Sequence, residues 1–484
     1  MRKSVGLAVV AGAAGVFLSS AVQAAVVGQW ITGTGNWSDS AKWQGGVIPN
    51  GQGDSAIFTT GSSSTTTVDV AGGVTLGTLK VDGVGNASWQ ITPTANSVFL
   101  NQDGAGPLSA SIVNNIQLSG AGTNPSIFLN PASTGSGTFV LQDDLLISNT
   151  SNSTRTNGAV QVRGLINGTG NIRIENVSNN FAVGQVAITS GGAGNSYGGN
   201  TTIAKGATTF NRGDSFSPTP NNTVIIGAAG MGAATLMFVG GGVGNMENQF
   251  ASAAGAGGPL VFGLSGTQTG DVTIRPSSRT STFTLNGDLN FSNPNATQLF
   301  TIGTPIAGIG KLIKVGAGAM RVTDINTSSG GTVVEGGSLA VGHFNLFNNG
   351  FGEYPATDGT LGSGDVTVNS TAVRLEIESG MPANSVIGDL ATVSLAGGGT
   401  AGTADFGYTL LGAGVNETVG MLLLNGIAQE IGTYGSTTSG ATFQNDEFFS
   451  GPGVLNVTLV PEPAAMSLIG FAAAGLLGRR RRRN

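Results

Sequence analysis

Between residues 60 and 300 the apolar pattern comes only in short pieces. TTTVDV (65–70), VTLGTLKVDGV (74–84), SIFLN (126–130), GTFVLQDDLLI (137–147), NIRIENV (171–177), TVIIG (223–227), DVTIRP (271–276) and STFTLNGDLNF (281–291) are separated by Gly, Asn and Ser turns. Each piece alternates apolar and polar residues, the period of a strand with one buried face. No piece alone buries enough apolar surface to be stable, so the pieces must stack on one another. This predicts an all-β chain, an elongated right-handed parallel β-helix or solenoid. Short helices are expected only in the signal peptide and the C-terminal anchor. Composition matters at the corners: 82 of 484 residues are Gly, which permits positive φ and close backbone approach. Charged residues are 10% and apolar ones 39%, the reverse of a disordered composition. With no Cys, disulfides, thiolate chemistry and Cys-based metal sites are excluded.

The strongest internal signal is GIGKLIKVGAGAMRVTDINTSSGGTVVEGGSLAV (308–341). KLIKV and AMRVT are joined by Gly-Ala-Gly, and TVV and SLAV by Glu335-Gly336-Gly337. Stacked as coils, Leu312, Met320, Val322, Val334, Leu339 and Val341 would share one core. A degenerate copy lies upstream. NSYGGNTTIAKGATTF (195–210) aligns with NTSSGGTVVEGGSLAV (326–341), matching Asn195 to Asn326, Gly199 to Gly330, Thr201 to Thr332, Ile203 to Val334 and Gly206 to Gly337. NGTGNIRI (167–174) likewise echoes AGIGKLIK (307–314). The first copy carries a long insertion.

Residues 308–341 resemble the autotransporter-associated β-strand repeat. The resemblance rests on Gly308, Gly310, Leu312, Lys314, Gly316 and Gly318, on Asn326-Thr327, on Gly330-Gly331-Thr332 and on Leu339. It implies a β-helix displayed outside the cell. The large C-terminal translocator barrel found beside such repeats is not expected here, so the likeness is to the passenger half.

The N-terminus reads as a secretory signal. Arg2 and Lys3 precede an apolar run from Val5 to Leu18, and Val22-Gln23-Ala24 supplies small residues for signal peptidase. Cleavage is expected between Ala24 and Ala25. The following segment places Trp30, Trp37 and Trp43 at intervals of seven and six residues, interrupted by Gly33, Gly35, Gly45 and Gly46. We read short strands or turns whose rings cap one end of the solenoid, which would otherwise expose apolar side chains and unpaired backbone. The functional alternative is a glycan-contact surface made of the same three Trp residues.

The search for chemistry is largely negative. His343 is the only histidine, too few for a His-rich metal site. The carboxylate pairs open to a hydrolase reading are Asp143-Asp144, Glu376 with Glu378, and Asp446-Glu447. Glu376 and Glu378, two apart on a strand, should share a face. No calcium loop is present. The Gly runs at 240–245 and 255–266 lack the strand, helix and Gly-Lys-Ser/Thr context of a phosphate loop. Arg212-Gly213-Asp214 is what a Gly-rich chain produces by chance. No catalytic residue, cofactor or metal is therefore expected.

The last 25 residues, VPEPAAMSLIGFAAAGLLGRRRRRN, differ from the rest. Pro461-Glu462-Pro463 holds an extended joint. Ala465 to Gly478 is uncharged and, as a helix, would span about 21 Å. Arg479, Arg480, Arg481, Arg482 and Arg483 then form a cytoplasmic stop. This order resembles the PEP-CTERM sorting signal. The resemblance implies processing by an exosortase, with the C-terminal helix only transiently in the inner membrane, and delivery to the surface of a Gram-negative cell, often alongside exopolysaccharide. Without the two end segments, 13 basic and 25 acidic residues remain and the net charge moves from −6 to −12. Such a body should repel nucleic acid.

The expected organisation is a signal peptide (1–24), a Trp-rich cap (25–60), a degenerate solenoid (61–305), the repeat (306–345), C-terminal coils (346–459) and the sorting signal (460–484). The expected function is that of an exported structural or adhesive surface protein associated with exopolysaccharide or biofilm matrix, and not an enzyme. The alternatives are a carbohydrate-binding surface protein and a β-helix polysaccharide lyase or hydrolase.

Overall fold

The computed structural model describes residues 24–459, apart from 32, 60–64, 86–87, 95–96, 104–107, 118–125, 130–136, 154–158, 164–165, 180–185, 190–194, 211–215, 217–221, 240–248, 267–269, 275–281, 345–346, 349–352, 355–356 and 372–373. The signal peptide and the sorting signal, with the helices expected in them, lie outside the described residues. Short strands wind into a parallel β-helix with three faces. The first face runs from Val27–Trp30 through Ser55–Thr59, Thr78–Val84, Ala110–Gln117 and Leu145–Asn149 to Ile306–Gly308. The second runs from Gly35–Asn36 to Met421–Leu424. The third comes in two runs, from Val74–Leu76 to Ser196–Tyr197 and from Val272–Ile274 to Phe449–Ser450. All of these ladders are parallel, as coil must follow coil in one direction. Among the described residues the only helices are two 3-10 turns, Ser40–Lys42 and Gln44–Gly46.

Alternation in the sequence becomes alternation of burial. Leu145–Asn149 and Ala110–Gln117 bury every second residue. Ile112, Ile147, Ile174, Ile203 and Ile226 stack in register on the first face, each at most 1% exposed. Burying one such side chain contributes about 1.5–3 kcal/mol. A one-residue slip would turn a whole set outward, so the register is firmly fixed. Leu312, Met320, Val322, Val334, Leu339 and Val341, expected to share one core, are all buried. Phe216, in a segment whose sequence shows no apolar pattern, is also buried, with its ring 5.3 Å from Phe210.

Coil length varies at the corners. One turn is 20 residues between Leu312 and Thr332 but 35 between Ala110 and Leu145. Two kinds of polar ladder hold the corners. Inside, Asn114, Asn149 and Asn176 are stacked in register and buried. Asn149 Nδ2 donates to Asn176 Oδ1 at 2.8 Å and Asn176 Nδ2 to the Ala207 carbonyl at 2.8 Å. Outside, the residue just before a strand accepts an N–H from a neighbouring coil. Asp144 takes that of Asn171, Asn171 that of Asn200, Asn200 that of Thr223, Asp288 that of Lys311 and Asp365 that of Thr392, at 2.7–2.9 Å. The N–H groups of Asn171, Asn200 and Lys311, outside any strand, and of Thr223 and Thr392, each at the start of one, are thereby satisfied.

Candidate functional site

At the N-terminal end the chain folds over its own first rung. Ile31 N–H donates to the Lys42 carbonyl at 2.8 Å, and Trp30 bridges Trp43. The Trp43 ring centroid stands 5.0 Å from Trp30 and 4.9 Å from Trp37, and all three rings lie 6.0 Å from Phe58. Each indole N–H is used: Trp30 donates to Gly33 O, Trp37 to Pro49 O and Trp43 to Trp37 O, at 2.7–3.0 Å. Asp54 ties the segment down by accepting the N–H groups of Val26 at 2.6 Å and Asn50 at 2.9 Å. The three tryptophans are 0%, 3% and 1% exposed. The glycan-contact alternative for Trp30, Trp37 and Trp43 is therefore corrected: a sugar platform needs an open aromatic face, and these faces are spent on one another. Ala24 and Ala25 are exposed ahead of Val27–Trp30.

A charged cluster lies on the third face. Glu376 and Glu378 do point to the same side, but each is committed to an arginine. Arg374 Nη2 donates to Glu376 at 3.0 Å, while Arg321 grips Glu378 with Nε at 2.6 Å and Nη2 at 2.5 Å. Ala340 lies between Arg321 and Glu376 in register, while the Glu378 carboxylate lies over Gly342, where a Cβ would stand 2.0 Å from its Oε2. His343 pairs with Asp358 across an antiparallel hairpin, Nδ1 to Oδ1 at 2.5 Å, and its Nε2 faces the Ser379 carbonyl at 3.2 Å. The Asp358 hydrogen bond, helped by the Ser379 carbonyl, pushes the imidazole above its ordinary range. With both ring nitrogens engaged, His343 has no free base position.

Of the other candidate carboxylates, Asp143, Asp144 and Asp446 cap backbone. Asp143 accepts the N–H groups of Gln102 and Asp103 at 3.2 and 3.1 Å. Asp446 accepts both the N–H and the hydroxyl of Thr437 at 2.8 Å, which lowers its pKa. Among the described residues no group of three or more His, Asp or Glu could hold a metal ion.

Two buried charged groups stand out. Lys314 is wholly buried and donates from Nζ to the carbonyls of Val315, Gly316 and Gly336, each at 2.9 Å. Burial pushes it down to about 8. Glu417 is 1% exposed and accepts the N–H groups of Ser385, Val386 and Ile387 at 3.2, 3.1 and 2.7 Å. Burial pushes it up to about 7 against those three donors. The sequence held a signal for both: in Leu312-Ile313-Lys314 and Val415-Asn416-Glu417-Thr418-Val419 the strand period turns the charge inward.

Glu417 belongs to the sheet that closes the C-terminal end, in the order Asn416–Val419, Val454–Val457, Gly432–Gly435 and Phe443–Gln444. The last strand is held on both sides. Beyond it Thr458 N–H donates to Val419 O at 3.1 Å and Leu459 N–H to Gly420 O at 2.7 Å. The backbone is therefore fixed to its final described residue.

Residues 459–483 match the PEP-CTERM protein-sorting motif. That motif marks an exported protein, processed by an exosortase and directed to the cell envelope and surface. The PEP-CTERM segment contains Pro461, Glu462, Pro463 and the arginines 479–483, all outside the described residues. Its first residue, Leu459, is still hydrogen-bonded to the cap, through its N–H to Gly420 O. Neither a curated protein nor a solved structure matches the chain. Among the described residues no helix is long and apolar enough to cross a membrane.

Proposed function

We propose that the β-helix is the working body of a structural or adhesive surface protein, released from its tail by the exosortase and held among exopolysaccharide or biofilm matrix. The carrying observation is the sorting motif at residues 459–483, which follows directly on a cap strand held on both sides. The body offers a mechanical rather than a chemical surface: backbone ladders with Ser, Thr and Asn between them. On this reading residues 308–341 belong to the autotransporter-associated β-strand repeat, signal peptidase cuts after Ala24, and the protein is not an enzyme. Supporting the last point, the candidate carboxylates Asp143, Asp144, Glu376, Glu378 and Asp446 each hold an arginine or a backbone N–H.

Intact-mass measurement of the surface-released protein tests the processing. The expected species begins at Ala25 and lacks residues 461–484, and a species that retains them ends the proposal. Incubation with neutral and acidic glycans tests the non-enzymatic part. No new reducing or unsaturated ends are expected, and ends whose release is lost in Glu376→Gln would overturn it.

A further inference from the structure

The C-terminal cap carries exposed apolar side chains around Leu459, where the sorting motif begins. Leu459 is 45% exposed and its N–H is bonded to Gly420 O. Gly420 in turn lies against the carbonyl of Leu390, whose side chain is 81% exposed. On the other flank Gly432 is in register with Val457. The Phe443 ring fills the space over Gly432, where a Cβ would stand 2.6 Å from it. Phe443 is 38% exposed and neighbouring Ile431 58%. The strand end is thus ringed by Leu390, Ile431, Phe443 and Leu459.

The tail sets what this ring can meet. Six residue steps lead from Leu459 to Ala465, where the apolar run starts. Fully extended, they reach about 20 Å. The interfacial layer on one side of a bilayer is about 5–8 Å thick. While the tail is in the membrane, the cap end cannot stand far from the lipid surface. From this geometry we infer that the Leu390, Ile431, Phe443 and Leu459 ring seats on the lipid surface before processing, so that the β-helix stands end-on over the membrane. This rests on the sorting reading above. The exposed acids Asp389 and Glu430 flank the ring, and the body carries net negative charge, so the surface it fits is zwitterionic lipid rather than strongly anionic lipid.

All four native tryptophans, Trp30, Trp37, Trp43 and Trp89, are buried among the first coils, so a new indole at the other end reports separately. The full chain carrying Phe443→Trp, and separately Leu390→Trp, is mixed with phosphatidylcholine vesicles brominated near the headgroup. Flotation shows whether the chain is bound, and fluorescence shows whether the new indole meets lipid. Binding with at least about twofold quenching of the new indole, and none of the native four, is expected for side chains seated at the headgroup boundary. Raising the anionic lipid fraction should reduce that quenching. Bound chain with both new indoles unquenched overturns the inference and leaves the sorting reading intact. A chain that does not float overturns the sorting reading and the inference with it. Unquenched indoles in a dimer seen by sedimentation would assign the ring to a second copy instead.

Discussion

Residues 166–210 and 306–341 share a plan, and they sit on different corners of the same helix. Gly168 and Gly308 have φ of 108° and 107°, and a Cβ on either would meet the carbonyl of the coil beneath, Leu141 O at 2.1 Å and Leu285 O at 2.3 Å. Ile172 pairs with Thr201 as Leu312 pairs with Thr332. Asn195 accepts the N–H of Ile166 at 2.9 Å, and Asn326 that of Ile306 at 2.7 Å. Yet Ile166–Gly168 and Ile172–Asn176 lie on the third and first faces, whereas Ile306–Gly308 and Leu312–Val315 lie on the first and second. The repeat therefore encodes a corner with its two flanking strands and is indifferent to which edge of the helix it occupies. A coil touches only the coils above and below it, so nothing in the local sequence needs to record the edge. The copies also part at one inward position, Ile174 against Lys314, both fully buried.

Exchange at that position should give the largest effect. Ile174→Lys buries a charge in a stack of isoleucines and should cost at least about 3 kcal/mol, read from the denaturation midpoint. Lys314→Ile should cost no more than about 1–2 kcal/mol, because removing a buried charge offsets the loss of three hydrogen bonds. Equal costs would show that the two sites are not equivalent after all. Gly168→Ala and Gly308→Ala should each cost about 2–4 kcal/mol, since positive φ and a carbonyl contact are both violated. A tolerated change in one copy alone would break the shared-corner reading.

The inward charges should also show in pH dependence. Lys314 sits near 8 in the fold and near 10.4 when unfolded. The unfolded chain keeps a proton that the folded chain releases, so stability rises between those values by up to about 3 kcal/mol. Lys314→Ile should flatten that slope. Glu417 sits near 7 in the fold against about 4.3 unfolded. Its contribution is complete at acid pH and is lost as pH rises through 7, by a similar order of magnitude. Comparison with Glu417→Gln isolates it. The smallest effect belongs to His343, partly exposed in its hairpin. Its pairing with Asp358 is strongest below the ordinary imidazole range and fades as pH rises through its raised value. His343→Ala should cost less than about 1 kcal/mol.

Much of the fold is legible in the residues. Alternation gives the strands, and the Gly and Asn matches between 195–210 and 326–341 correspond to equivalent contacts. Three features escape. The shift of faces escapes because a corner carries no address. The tryptophans read as a cap but leave a platform open as the alternative, because spacing says nothing of exposure. The partners of Glu378 and Asp144 escape because they come from other coils, 57 and 27 residues away. Lys314 and Glu417 were within reach of the period-two pattern, but the usual exposure of charge argues against following it inward.

The second face has a consequence for reach. Its ladder stacks fifteen strands from Gly35–Asn36 to Met421–Leu424, which at about 4.8 Å per strand comes to roughly 67 Å. The tryptophan cap lies at one end of that ladder and the sorting junction at the other. Standing on its exit end, the body is a mast: it lifts its sealed tip several Debye lengths clear of the membrane's charge, at a height counted in coils.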